Sequence, residues 1–289
     1  GEIHKTIETC NGVWQVLSEL DADRSSLIIN LGGGVITDIG GFIAATFKRG
    51  VNFINVPTTL LAMVDASVGG KTGVDLGTLK NQVGVFAFSD MVLVDVQFLK
   101  TLPYDELRSG FAEMLKHGLI ADEDYWDKLI AIKDFTSLDL SDLIYHSIKI
   151  KYDVVKQDPK EKGLRKILNF GHTLGHAIES YSLLENDKKT LLHGEAIAIG
   201  LVLETYISYK ELGFPKNKLD KIKSFIVELY GRVYFSENDV SKITSLLKFD
   251  KKNTFGNINF VLLKEISQPQ IDCTISNELI IDSFKYYLS

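Results

Sequence analysis

Three of the six histidines lie close together in the chain, at His172, His176 and His193. His172 and His176 are four residues apart, so on a helix their imidazoles share one face, a spacing suited to binding a metal ion. Nearby glycines leave room for a ligand. A lone histidine is more often a satisfied core or surface residue, but this clustering predicts a metal or catalytic site.

A carboxylate often joins histidines in catalytic zinc sites and leaves one coordination position open. Glu113 is the candidate, in the segment Ser-Gly-Phe-Ala-Glu-Met-Leu-Lys-His-Gly. Glu113, Lys116 and His117 share one helix face among apolar neighbours, a pattern as compatible with a cleft as with solvent. The alternative is an ordinary ion pair three residues apart on a solvated face. We interpret His117 as structural.

Two glycine clusters and two isolated acids could bind a polar ligand. Gly32, Gly33 and Gly34 follow a strand pattern and precede a helical one, so their N–H groups could approach a phosphate; a tight structural turn is the alternative. A second cluster, residues 69–73, contains Lys71 and is followed by Lys80 and Asn81, which could hold a phosphate or carboxylate. Asp38 and Asp65 interrupt apolar segments, where a buried carboxylate needs a partner unless it only caps a helix or a turn.

The elements around these residues change character along the chain. Apolar runs at 27–31, 51–56 and 91–96 predict buried parallel strands, and the segments 39–47 and 60–68 have helical periodicity. The pattern is helical from Pro103 onward, apart from a strand candidate at 258–263. We therefore predict an α/β domain at 1–97 and a helical domain at 98–289, with a ligand-binding cleft between them. Further helix boundaries are predicted at Pro103, Ser141, Gly213 and Ser236.

Composition excludes several classes of protein. The net charge of −6 provides no basic footprint for nucleic acid, and no apolar run is long enough to cross a membrane. Two cysteines are too few for a disulfide scaffold, so a cytoplasmic location is expected. The chain starts at Gly1 rather than at Met, from which we expect the first part of a longer protein to be missing.

Several motifs together closely resemble the 3-dehydroquinate synthase family. They are GGGVITDIGGFIAATFKRG, VPTTLLAMVDASVGGKTGVD, LKNQVGVF, GFAEMLKHGLI, LNFGHTLGHAIE and HGE, in this order. The resemblance implies an N-terminal Rossmann-like NAD-binding α/β domain and an all-α metal-binding domain, with the active site in the cleft between them. Because family members usually have several dozen further residues before this point, it also implies an incomplete first domain and weak NAD binding by this segment alone.

The resemblance also implies roles for individual residues. The implied metal ligands are Glu113, His172 and His193, for Zn²⁺ or Co²⁺. The residues implied to contact the substrate's hydroxyls and carboxylate are Asp65, Lys116, Lys151, Arg165, Asn169 and Lys251 or Lys252. Those implied near its phosphate are Lys71, Asn81, His176 and, from a neighbouring subunit, Arg49. The residues implied to bind NAD are Glu2, Lys5, Gly33, Gly34, Asp38, Thr58, Thr59, Lys80 and the segment 98–101 with Phe98 and Thr101.

The implied activity is the conversion of 3-deoxy-D-arabino-heptulosonate 7-phosphate to 3-dehydroquinate and phosphate, in a homodimer. The alternatives are another sugar-phosphate cyclase, such as an inosose or valiolone synthase, a metal-dependent polyol dehydrogenase, and a non-catalytic metal- or nucleotide-binding protein. Arg165 and Asn169 favour the first reading, because the substrates of the other cyclases lack a carboxylate. A non-catalytic metal- or nucleotide-binding protein would leave the convergent lysines unexplained.

Overall fold

The structure is a computed structural model that describes residues 1–77, 79–132, 134, 139–185, 188, 190–247 and 258–289. It contains two compact units. The first comprises Gly1–Gly110 and Asp139–Lys160, and the second comprises Phe111–Leu138 and Glu161–Ser289. The division falls inside a helix, at Gly110, rather than at residue 97, and it assigns residues 139–160 to the first unit. The division into an NAD-binding domain at 1–97 and a metal- and substrate-binding domain at 98–289 stays a prediction.

The first unit is built on a parallel sheet of three strands. Strand β1 (Leu27–Gly32) pairs with β2 (Asn52–Pro57), and β2 pairs with the short β5 (Met91–Val92), which confirms the three predicted strand positions. The predicted burial is wrong for β1, where Leu27, Ile29 and Leu31 are exposed, because only the opposite face, with Ile28, packs against an apolar cluster. Helix α2 (Gly34–Thr46) follows β1 directly and confirms the predicted helix there. The third strand is shorter than predicted, because the chain soon enters a helical turn, Val96–Thr101, that the Asp95 side chain caps.

An antiparallel hairpin in this unit was not predicted. It consists of β3 (Lys71–Leu76) and β4 (Leu79–Phe86) and occupies the second glycine cluster and the residues after it. Gly73 and Gly84 face each other, and a Cβ on either one would lie within 2.5 Å of a carbonyl oxygen of the opposite strand. These glycines therefore allow two strands to pack closely, where the sequence pattern indicated only a turn.

The remaining elements of the first unit are helical. Helix α1 (Ile7–Glu19) begins at the side-chain cap Thr6, and helix α5 (Ser141–Gln157) lies near the C-terminal end of the unit's chain. The helix predicted at 60–68 is present as a short helical segment that starts at Leu60 and continues in the π-helical turn Ala62–Ala66. It ends before Gly69 and Gly70, which take positive φ angles of 118° and 67°. Ser141 was predicted to cap α5, but Leu140 holds that position and the Ser141 hydroxyl donates to Asp139 Oδ1.

The second unit is mainly helical. Helix α3 (Tyr104–Ala121) enters it at Phe111, after the predicted start at Pro103, whose carbonyl accepts from Leu107 N. The other helices are α4 (Glu123–Ile130), α6 (His172–Leu184), α7 (His193–Leu212), α8 (Lys216–Tyr230), α9 (Glu237–Leu246) and α10 (Asn277–Leu288). Strand β6 (Asn259–Leu263) confirms the late strand candidate, and it pairs with β7 (Pro269–Thr274), which was not predicted. The predicted boundaries at Gly213 and Ser236 are confirmed.

Helix α7 is the centre of the second unit. Its residues from Gly194 to Thr205 are all buried, as expected for a helix that is apolar on every side. Helix α6 packs against it very closely, because a Cβ on Gly200 would lie 2.0 Å from the Gly171 carbonyl oxygen. Gly175 lies against Ile197 in the same way, and Glu179 contacts His193. Since residue numbers rise along one helix as they fall along the other, α6 and α7 are antiparallel.

Within the parts of the chain that the structure describes, none of the helices combines the length and the apolar character that a membrane crossing requires.

Candidate active site

Three helices of the second unit bring one carboxylate and two imidazoles together. Glu113 lies on α3, His172 begins α6 and His193 begins α7. Glu113 Oε1 is 3.3 Å from His172 Nε2 and 3.4 Å from His193 Nε2. The Glu113 side chain is fully buried, and Lys116 Nζ contacts its other oxygen. The ion pair of the alternative reading is therefore present, but it is buried beside two histidines and is not on a solvated face.

The hydrogen-bonding geometry of this group fits a metal ion. Neither Glu113 oxygen makes a well-directed hydrogen bond within the described residues, although two imidazole nitrogens lie close to one of them. His172 Nδ1 faces the Phe170 carbonyl oxygen at 3.1 Å, which can only accept, so this nitrogen carries the proton. His172 Nε2 is then left with its lone pair directed towards Glu113, as a metal ligand requires.

The electrostatics of the group are consistent with a charged site. Burial would raise the pKa of Glu113, but the charge of Lys116 and the contacts with His172 and His193 outweigh it and hold that pKa well below its usual value. Burial lowers the pKa of His172, which keeps its imidazole neutral. Burial also acts to lower the pKa of His193, but Glu179 and Glu113 prevail and raise it to about 10. The protein thus keeps a carboxylate ionised in a fully buried place.

His176 belongs to the same cluster. Imidazole nitrogens of His172, His176 and His193 all lie within 4.8 Å of one another. The ring centroids of His172 and His176 are 5.1 Å apart, and those of His176 and His193 are 5.7 Å apart. The spacing of four residues therefore places the His172 and His176 imidazoles side by side, as predicted. The resemblance implies that His176 contacts the phosphate of the substrate, and this role stays a prediction. In the structure, His176 lies beside two of the implied metal ligands.

Glu179 is a site residue that sequence reasoning missed. Its Oε2 lies 3.2 Å from His193 Nδ1, and the side chain is almost completely buried. A carboxylate in this position fixes the orientation of a metal-binding histidine and increases its basicity. The available signal was the spacing, because His172, His176 and Glu179 are at positions i, i+4 and i+7 and so share one face of a helix.

In the first unit, three predicted NAD and phosphate residues meet in one group, and two others form a separate ion pair. Lys5 is buried, and its Nζ contacts Asp38 Oδ2 at 2.6 Å and Asn81 Oδ1 at 2.5 Å. Lys80 Nζ lies 3.5 Å from Glu2 Oε1. Burial raises the pKa of Asp38 even though the charge of Lys5 opposes this effect. The N-terminal residues, α2 and β4 thus meet around one buried ammonium group.

The glycine triplet occupies the position that a phosphate cradle needs. Gly33 caps α2 without a side chain, at the carboxyl end of β1, and Thr58 N donates to the Gly32 carbonyl oxygen. A Cβ on Gly33 would lie 3.1 Å from Thr59 Cγ2, and one on Gly34 would lie 3.2 Å from Ala66 Cβ. The predicted residues Gly33, Gly34, Thr58 and Thr59 are therefore neighbours at the start of a helix.

Asp65 and Lys151, which were predicted to serve the substrate, contact each other in the first unit. Lys151 Nζ lies 2.7 Å from Asp65 Oδ1 and 2.5 Å from the Asp65 carbonyl oxygen. Asp65 thus has a cation as the partner that its apolar surroundings require.

The remaining predicted residues lie in several elements. In the second unit, Arg165 is buried in the helical turn Leu164–Asn169, and Asn169 donates to Glu161 Oε1 at 2.8 Å. In the first unit, Lys71 is exposed at the start of β3 and Arg49 is exposed with a φ of 70°. Phe98 and Thr101 lie in the turn Val96–Thr101. Lys251 and Lys252 lie outside the described residues.

Solved structures define the class to which this architecture corresponds. The chain is similar to ValA, a 2-epi-5-epi-valiolone synthase from Streptomyces hygroscopicus solved with NAD⁺ and Zn²⁺ bound, at 25% identity and a TM-score of 0.88 over 100% of this chain and 81% of that one. It is also similar to a 2-deoxy-scyllo-inosose synthase solved with carbaglucose-6-phosphate, NAD⁺ and Co²⁺, at 25% identity and a TM-score of 0.83 over 99% and 81% of the two chains. The fold is that of the sugar-phosphate cyclases.

Sequence comparison specifies the family within this class. The family model for the 3-dehydroquinate synthase N-terminal region matches residues 1–109, and the model for the C-terminal region matches residues 110–253. The 3-dehydroquinate synthase of Parabacteroides distasonis is 45% identical over 99% of this chain and 81% of its own length. That of Ruminiclostridium cellulolyticum is 43% identical over 97% of this chain and 78% of its own length. The chain belongs to the 3-dehydroquinate synthase family, which confirms the resemblance seen in its motifs.

Proposed function

We propose that this protein is a 3-dehydroquinate synthase that uses NAD and a divalent cation, Zn²⁺ in the first place and Co²⁺ as a substitute. It converts 3-deoxy-D-arabino-heptulosonate 7-phosphate to 3-dehydroquinate and phosphate, as a phosphate-eliminating lyase. The observation that carries this proposal is the buried cluster of Glu113, His172 and His193 in a chain of this family. The names of the two cyclase structures, with NAD⁺ and Zn²⁺ or Co²⁺, support the choice of cofactors.

The residues present fit both cofactors. Glu113, His172 and His193 would hold the cation, and the N-terminus of α2 at Gly33 and Gly34 would hold the NAD pyrophosphate. When bound, the cation lowers the pKa of a coordinated substrate hydroxyl and NAD takes up and later returns a hydride. Glu179 keeps His193 oriented, and the Phe170 carbonyl oxygen keeps His172 in the tautomer that presents Nε2.

The substrate's anionic groups require cations that the chain supplies locally, despite its net negative charge. Arg165 offers the planar, forked guanidinium that suits a carboxylate, with Asn169 four residues further along. Lys71 and Asn81 are assigned to the phosphate. Lys151, held by Asp65, presents an ammonium group to a substrate hydroxyl. The enzyme needs no general base with an unusual pKa for phosphate loss, because the leaving phosphate itself takes the proton.

The decisive experiment measures phosphate release and NADH together. With substrate, NAD and Zn²⁺, we expect one phosphate per substrate consumed and no net increase in absorbance at 340 nm, since the hydride returns to the product. NADH that accumulates in step with substrate consumption would instead identify a polyol dehydrogenase. Turnover of a sugar phosphate without a carboxylate, at a rate equal to that of the carboxylate substrate, would identify another cyclase.

We propose further that the enzyme is a cytoplasmic homodimer in which Arg49 of one subunit serves the other subunit's phosphate. Its exposure at the end of a helical turn supports this role, and the two cysteines are free thiols, as a reducing compartment requires. Mixing two inactive variants, Arg49→Ala and Lys71→Ala, tests the exchange. Mixed dimers contain one site with both defects and one with neither, so activity should reappear after subunit exchange. If Arg49 acted within its own subunit, the mixture would stay inactive.

A further inference from the structure

We infer that Glu204 is a positioning residue for the metal centre: it holds the start of the helix that carries His172 and His176. This inference rests on the proposed function, because it takes Glu113, His172 and His193 as ligands of a divalent cation. Glu204 lies on α7, eleven residues after His193. It acts through backbone groups of α6.

The contact between Glu204 and α6 uses both carboxylate oxygens. Glu204 Oε2 accepts from Gly171 N at 2.7 Å, and Oε1 accepts from Leu174 N at 3.0 Å. The Glu204 side chain is completely buried in the second unit. These two amides flank His172 in the chain, and Leu174 lies between His172 and His176. The carboxylate is therefore attached to the backbone on both sides of the first ligand.

Helix α6 needs such a partner because its own sequence supplies none. The first N–H groups of a helix have no acceptor within the helix and are usually satisfied by a Ser, Thr, Asp or Asn side chain at the cap. The cap residue here is Gly171, with a φ of 77° and no side-chain hydrogen bond. A carboxylate from the neighbouring helix takes the place of the missing side chain. Its negative charge is also stabilised by the positive end of the α6 dipole.

The packing of α6 on α7 makes this attachment rigid. With a Cβ position on Gly200 only 2.0 Å from the Gly171 carbonyl oxygen, the two backbones are already as close as glycine allows. Glu204 and Gly200 are four residues apart on one face of α7, so both contact the same end of α6. At the other end of the helix pair, Glu179 contacts His193. One carboxylate therefore acts at each end of the α6–α7 pair, and each acts on a different ligand histidine.

The test uses Glu204→Gln, which keeps the shape of the side chain but replaces one acceptor oxygen with an NH₂ group. The N–H of Gly171 or of Leu174 then faces the NH₂ group of the glutamine instead of an acceptor. The start of α6 should therefore shift, and His172 with it. Metal-free protein is titrated with Co²⁺ against a chelator, and the visible absorption of the bound ion is recorded. We expect the Co²⁺ dissociation constant to rise about tenfold or more and the absorption bands to shift, as for other groups that orient metal ligands.

Ser236→Ala is the matched control, because Ser236 caps α9 of the same unit through its side chain and a capping box. It should lower the melting temperature without changing Co²⁺ affinity or absorption. If Glu204→Gln also lowered only the melting temperature, with Co²⁺ binding within twofold of the wild type, the positioning role would be refuted. Should Glu204→Gln not fold, Glu204→Asp, whose shorter carboxylate can reach only one amide, is subject to the same criteria. Failure of the wild type to bind Co²⁺ would overturn the metal centre itself, and this inference with it.

Discussion

Replacing Glu113 with glutamine tests how the buried site balances its charges. The Glu113 side chain is fully buried, and so is Lys116, whose ammonium group contacts one of its oxygens. Glu113→Gln keeps the volume of the side chain but removes the carboxylate that lies against Lys116, His172 and His193. The ammonium group loses the carboxylate that it contacts in a place that water does not reach. Breaking a buried ion pair in this way costs about 3–5 kcal/mol of unfolding free energy.

The reverse substitution, Lys116→Met, should cost less. Glu113 then keeps two imidazoles within 3.4 Å, and His193, with its pKa raised to about 10, holds a proton at neutral pH that compensates the carboxylate. Removing both charges together, in the double variant, replaces the pair with neutral groups of similar size. Such a replacement is often close to neutral in stability, so the double variant should recover most of the loss caused by Glu113→Gln.

Urea unfolding of the metal-free wild type, the two single variants and the double variant at pH 7 completes the cycle. We expect Glu113→Gln to be the least stable and the coupling between the two sites to exceed about 2 kcal/mol, well above the error of additive sites. A buried ion pair of this strength is excluded if Glu113→Gln costs less than about 1 kcal/mol, or if the two single effects simply add in the double variant.

Three further predictions concern other contacts. Glu179→Gln should weaken Zn²⁺ binding about tenfold or more in a chelator competition, because His193 loses its orienting carboxylate; unchanged affinity would contradict this role. Lys5→Met should weaken NAD binding in calorimetric titration and lower the melting temperature, because Asp38 loses its buried cation; if only the melting temperature fell, Lys5 would be structural. Although burial acts to raise it, hydrogen bonds from Lys188 and Tyr181 lower the pKa of Asp239. Its stabilisation is therefore complete above about pH 4 and lost as the pH falls, so the stability gap between wild type and Asp239→Asn should narrow from pH 7 to pH 2, and a constant gap would refute the assignment.

Local patterns predicted those features that depend on neighbouring residues in the chain. The three parallel strands were visible as β-branched apolar runs, and the shared face of His172 and His176 followed from their spacing. The cap at Ser236 and the end of α7 at Gly213 followed from residues with one strong local preference. The cap predicted at Ser141 was wrong because Asp139, two residues earlier, takes its hydroxyl as a donor.

Features that depend on distant residues were missed. The hairpin of β3 and β4 contains glycines that local reasoning assigns to turns, and only the opposite strand shows that Gly73 is needed for close packing. Glu179 was passed over although it shares a face with two histidines. Glu204 interrupts an apolar helix without any local reason, because its two partners are backbone amides 33 and 30 residues away in the chain.

Local information in the sequence was sufficient for the family, for the positions of the three parallel strands and of helix α2, and for the residue types available for a metal, because these depend on composition, periodicity and short motifs. Packing of distant segments was needed to show how closely Glu113 approaches His172 and His193, that Lys5 is buried against Asp38 and Asn81, and that Glu204 accepts from the first amides of α6. The physical reason is that a buried charge is tolerated only where a partner satisfies it. That partner is chosen by how the helices and strands pack, since residues far apart in the chain become neighbours only in the folded protein.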